Sequence, residues 1–134
     1  MSNYSKKGKI DSIDLRELFL MFAMKRKLKL MSHLINSDDF SFEFSEDNFC
    51  DVLENDVYDI GVLLYREYFL QISRQREKIT TLLVRSFQKP NGQLESKCYL
   101  LQRFITQMNF DQANLFVEAI EERIKDSSRG NLLV

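Results

Sequence analysis

Glycine and proline are scarce: the chain of 134 residues has 4 Gly and 1 Pro. A sandwich or barrel needs a turn every 8–12 residues or so, and this chain lacks the turn material for one, so its composition reads as all-α. Tryptophan is absent, His33 is the single histidine, and the two cysteines, Cys50 and Cys98, stand far apart with no C-x-x-C or Cys/His ligand spacing. That pattern argues against a disulfide framework or a zinc site, and the cysteines read as half-buried thiols in a reducing compartment. His33 follows a Lys/Arg run near the end of a predicted helix, where a cation suits the helix dipole. Nothing local would activate Cys50 for a dyad with it.

Catalytic signatures are missing as well. The sequence contains no H-E-x-x-H, G-x-S-x-G, Walker or G-x-G-x-x-G pattern, and four glycines cannot build much of a phosphate cradle. No apolar run approaches the ~20 residues of a membrane span. The apolar block Leu18 to Met24 ends in Lys25-Arg26-Lys27 without a small-residue cleavage site, unlike a secretory signal. These absences lead to the expectation of a soluble, cytoplasmic protein that is not an enzyme and takes no cofactor or metal.

What is present suffices for a packed core: 44% of the residues are hydrophobic and 29% charged, ordinary values for a globular domain of this length. The expected organisation is a flexible basic N-terminus over 1–10, one helical domain over 11–128 and a short apolar tail over 129–134. Net charge is −1, yet the charge is segregated. Residues 1–36 carry a net +5, residues 37–62 carry nine acidic side chains and no Lys or Arg, and residues 63–91 carry a net +4.

Helical periodicity runs through most of the chain. A first helix starts at Asp11 or Ser12, with Met21, Met24, Leu28, Met31 and Ile35 along one seam. Asn36-Ser37-Asp38-Asp39 stops it, and Phe40, Phe42 and Phe44 alternate with polar residues as a short extended segment laid on the helices. After Ser45, a predicted N-cap, a seam continues through Phe49, Leu53, Val57, Ile60, Leu64, Tyr68, Ile72, Ile79, Leu83 and Phe87. One helix through all of it would run to about 40 residues, far beyond three or four turns, so a break or bend is expected near Asn55-Asp56 or Gly61. Lys89-Pro90-Asn91-Gly92 is the strongest turn signal. Beyond it, Leu94, Cys98, Leu101, Ile105 and Met108 predict one seam, and Ala113, Phe116 or Val117, Ile120 and Ile124 another. Asp111 is the predicted N-cap of the last helix, Phe110 staples onto Leu115, Glu121 pairs with Lys125, and Gly130 ends the ordered part. The predicted fold is an all-α bundle of four to five helices, with a long kinked central helix over roughly 46–88 and a C-terminal helical hairpin across 90–112.

The functional reading follows from surfaces. Phe19, Leu20 and Phe22, within a turn that is apolar all round, and Phe40, Phe42 and Phe44 offer more apolar surface than a small bundle needs to cover. Asp47, Asp51 and Glu54 share one helical face. These nine residues are the candidate contacts for a protein partner, and a second copy is the simplest partner. The chain therefore reads as a small adaptor, inhibitor or regulator acting by docking, as a homodimer. Two alternatives remain open. A nucleic-acid-binding regulator would use Lys25, Arg26, Lys27, Lys29 and the stripe Arg74, Lys78, Arg85, although the net charge and the lack of a helix-turn-helix weigh against it. An acidic inhibitor or nucleic-acid mimic would present the Asp47, Asp51, Glu54 face to a basic partner.

Overall fold

The computed structural model describes residues 12–72, 75–89 and 92–132, and for 12, 13 and 126–132 the backbone alone. The expected flexible N-terminus, 1–10, lies outside them, as do Arg74, Pro90 and Asn91. Among the described residues there are seven α-helices and no strand: α1 (Ser12–Met24), α2 (Leu28–Asn36), α3 (Glu46–Glu54), α4 (Tyr58–Tyr68), α5 (Arg76–Ser86), α6 (Leu94–Phe104) and α7 (Phe110–Leu132). Short 3-10 turns follow α4 at Phe69–Gln71 and α6 at Ile105–Gln107. The fold is all-α, with more and shorter helices than the predicted four to five. The chain divides into two compact units, Met1–Ile72 and Ser73–Val134.

In the first unit the predicted single helix over residues 12–35 is two helices. Arg26 adopts φ 55°, a left-handed conformation that ends α1 and redirects the chain into α2. The break also resets the register of the buried face. Leu15, Phe19 and Ala23 of α1 and Met31 and Leu34 of α2 are buried, whereas Met21 and Met24, predicted for the seam, are 44% and 50% exposed. α1 packs on α2 and α3, and α3 packs on α4. The segment between α2 and α3 forms a turn with Ser41 at φ 52° and no strand. Two of its three aromatic residues lie on α1: Phe42 stacks on Phe19 with ring centroids 5.3 Å apart, and Phe44 sits 5.8 Å from Phe19 and 4.8 Å from Tyr68. Ser45 takes the N-cap position of α3, and its backbone N–H donates to Asn48 Oδ1 at 2.8 Å.

The predicted long central helix is divided among α3, α4 and α5. The first interruption falls at Asn55–Val57, as expected, where Asp56 takes φ 63°. Gly61, the alternative break point, is buried inside α4. The second lies between Tyr68 and Arg76, where the 3-10 turn leaves Phe69 and Leu70 exposed. The predicted seam residues are nevertheless core in their own units: Phe49, Leu53, Val57, Ile60, Leu64 and Ile72 in the first and Ile79, Leu83 and Phe87 in the second are buried, with Tyr68 half-buried.

In the second unit α5 is the centre, and α6 and α7 both pack on it. The predicted C-terminal hairpin is therefore not what forms: α6 and α7 each pack on α5 and not chiefly on one another. Gly92 at φ 77° and Gln93 at φ 57° turn the chain into α6. The buried face of α6 is Lys97, Leu100, Leu101 and Phe104, while Leu94, Cys98 and Ile105 of the predicted seam are exposed. Lys97 is buried because its Nζ donates to the carbonyl oxygens of Ser86 at 2.8 Å and Lys89 at 3.3 Å, at the C-terminal end of α5. Those carbonyls have no acceptor role within the helix, and a cation there is favoured by the dipole.

α7 begins two residues earlier than predicted, with Asn109 in place of Asp111 as its cap. The Gln112 N–H donates to Asn109 Oδ1, and the Asn109 N–H donates to Gln112 Oε1, both at 2.9 Å. Gln112 Nε2 then reaches α5, donating to the Glu77 carbonyl at 2.8 Å and to Thr81 Oγ1 at 2.6 Å. Phe110 is 78% exposed and forms no staple. Phe116 meets Phe87 edge-on at 5.3 Å, and Ala119 is buried. Lys125 pairs with Glu122 at 3.8 Å where Glu121 was predicted, and the helix passes Gly130 to end at Leu132.

Candidate functional site

The opposed charge blocks at the start of the sequence meet inside the first unit. Arg16 of α1 grips Asp51 of α3 with two parallel bonds, Nε to Oδ2 at 2.5 Å and Nη2 to Oδ1 at 2.8 Å. The fork matches the carboxylate geometry, which is the strong form of such a contact. The hydrogen bond to Asp51 is the largest cause of a guanidinium pKa raised above its ordinary value; the charges of Asp51, Asp47 and Glu54 add to it, and burial opposes it. The acidic face thus has a partner within the chain. Asp51 is the more buried member, and Glu54 stays exposed.

The basic cluster behaves in the same way. Arg26 Nε donates to Asp59 Oδ2 of α4 at 2.7 Å, while Lys25, Lys27 and Lys29 are exposed. In the second unit, Lys78 and Arg85 of α5 border an open cleft that also holds Glu77 and Asp111. A stripe mixed with carboxylates in this way is a poor track for a phosphate backbone, and Arg74 lies outside the described residues.

The six predicted aromatic and aliphatic contacts separate. Phe19 is fully buried, so it belongs to the core and not to a contact surface; Phe44 is buried as well. Leu20, Phe22, Phe40 and Phe42 are half-buried. The apolar surface of this region is carried instead by Met21 and Met24, which the seam reading had placed inside. With Leu20 they line an open groove of about 460 Å³ on the outer face of α1, and Glu17 and Lys25 stand at its two ends. The pattern was readable in principle: a four-residue step from Leu15 to Phe19 to Ala23 leaves Glu17, Met21 and Lys25 on another stripe.

A second apolar line lies on α7. Phe110, Val117 and Ile124 are exposed at intervals of seven residues, on a helix whose Phe116 and Ala119 already serve its own unit. Lys97 and Gln112, buried and bonded to α5, were missed because charged and amide side chains are assigned to surfaces by default.

Cys50 is buried in α3 and Cys98 exposed on α6. Among the described residues no group of three or more His, Cys, Asp or Glu side chains gathers as metal ligands would. No described helix is long and apolar enough to cross a membrane. Compared with protein-family models, with curated proteins and with solved structures, the chain matches none.

Proposed function

We propose that this chain is a protein-docking module, without a catalytic role, that associates with a second copy of itself. The observation that carries the reading is the outer face of α1. The helix buries Leu15, Phe19 and Ala23 on one side and leaves Met21 and Met24 half in water on the other. Exposed apolar surface costs about 25 cal/mol per Å², and methionine side chains adapt readily to a partner. The exposed line on α7 adds to the same reading.

The alternatives have less behind them. For a nucleic-acid binder, Arg26 is committed to Asp59 and the Lys78, Arg85 stripe is interrupted by acids. For an acidic docking surface, Arg16 occupies Asp51, and Asp47 and Glu54 also act on that guanidinium. The test is sedimentation equilibrium of the full chain over a wide concentration range. Mass rising with concentration is the expected result, and a monomer throughout would end the self-association reading. Duplex DNA bound at low salt and released as salt rises would favour the nucleic-acid alternative.

A further inference from the structure

We infer that α1 pairs with α1 of a second copy in antiparallel orientation, about a two-fold axis through Met21, so that Glu17 of each copy meets Lys25 of the other. This rests on the self-association reading and adds the surface, the direction and the charges that set it.

Glu17 and Met21 on the exposed side of α1 and Lys25, the first residue after it, follow one another at intervals of four residues and form a single ridge, because the Lys25 N–H still donates to the Met21 carbonyl at 3.0 Å. Leu20 and Met24 form the neighbouring ridge, and the groove runs between the two. A ridge of this kind seats in the corresponding groove of another helix. Turning α1 by half a turn about an axis through Met21 exchanges positions 17 and 25. An isologous pair needs a patch that complements itself in this way. The two ends carry opposite charges, so the antiparallel pair makes the Glu17–Lys25 contact twice. A parallel pair on the same centre would set Glu17 on Glu17 and Lys25 on Lys25, and that like-charge arrangement is rejected.

The adjoining arginines sharpen the selection. Arg16 and Arg26, next in sequence to Glu17 and Lys25, are turned to Asp51 and Asp59 within their own unit. Glu17 and Lys25 are exposed at the ends of the groove. The contact is small, two or so turns of one helix against the same turns of another. It therefore belongs with the weak, concentration-dependent class of interfaces.

The full chain is compared with Glu17→Lys, Lys25→Glu and Met21→Glu by sedimentation equilibrium, with circular dichroism to show unchanged helix content. Glu17→Lys places four positive charges at the contact and Lys25→Glu four negative ones. Each variant alone is expected to weaken the dimer about tenfold or more. Mixed in equal amounts, the two complement each other at both ends, and association returns to near the wild-type strength. Met21→Glu brings two carboxylates together on the axis and gives monomers. A wild-type dimer that all three variants preserve, or a mixture that associates no better than its components, would overturn this pairing while leaving self-association through another surface. A wild-type monomer at every concentration overturns both.

Discussion

At the scale of single residues, the clearest reversal is in α6. Periodicity placed Cys98 inside and Lys97 outside, and the structure has them the other way round. A lysine enters a core when its ammonium finds acceptors there, and the carbonyls of Ser86 and Lys89 supply them. Lys97→Met is expected to cost about 1–3 kcal/mol, since it removes the charged donor and leaves the Ser86 carbonyl only the Lys89 N–H, while Cys98→Ser changes stability by less than ~0.5 kcal/mol. Urea unfolding of the two variants decides, and a Cys98→Ser loss larger than that of Lys97→Met would refute the register of α6. Arg16 is a milder case. Its pKa is raised, so its share of stability is fully present at every pH below the ordinary arginine value and is lost only above it. From Arg16, stability should therefore be flat through the neutral range. The pair itself is half exposed at the arginine and worth no more than about 1 kcal/mol.

At the scale of elements, what the sequence concealed was where helices end. Four described residues other than glycine take positive φ: Arg26, Ser41, Asp56 and Gln93. Arg26 and Asp56 end helices that the apolar pattern would continue, and Gln93 begins one. Asp56 was legible because Asn and Asp tolerate the left-handed region. Arginine and glutamine give no such signal, and the seam on the α1 side of Arg26 was consequently read in the wrong register, whereas Met31 beyond it is buried as expected. Gln93→Gly should relieve the left-handed cost at the entrance to α6 and raise stability by up to about 1 kcal/mol. Gln93→Val, β-branched at φ 57°, should lower the melting temperature instead. Equal melting temperatures for both would mean that the turn does not hold this conformation.

At the scale of the whole molecule, charge segregation was the most conspicuous property of the sequence, and two ion pairs within the first unit join its opposed blocks. The basic segment lies on α1 and α2 and the acidic one on α3 and α4, all in the first unit, where Arg16–Asp51 and Arg26–Asp59 join them. Glu17 on α1 and Lys25 just after it face outward, and the dimer proposal assigns them a use. Two exposed ion pairs, each worth at most about 1 kcal/mol, form only the rim of that contact. Raising the salt concentration to about 1 M should therefore weaken self-association by no more than roughly thirtyfold and never abolish it. Complete dissociation at high salt, measured by sedimentation, would show that charge and not the Met21, Met24 face holds the copies together.

The amino-acid sequence alone determined the helical class, through the scarcity of glycine and proline, and most of the core. The residues of the seam from Phe49 to Phe87 are buried almost in full although three helices in two units carry them, because burial follows the apolar spacing within each helix. It also supplied the stop after Asn36 and the turn before α6. Tertiary structure decided the rest. It made Phe19 a core residue by stacking Phe42 upon it, turned Met21 and Met24 outward, and brought Lys97 and Gln112 inside. The physical reason is common to all of these. Which face of a helix is buried depends on the neighbours that cover it and on the acceptors and donors they offer, and a one-dimensional pattern of polarity carries neither.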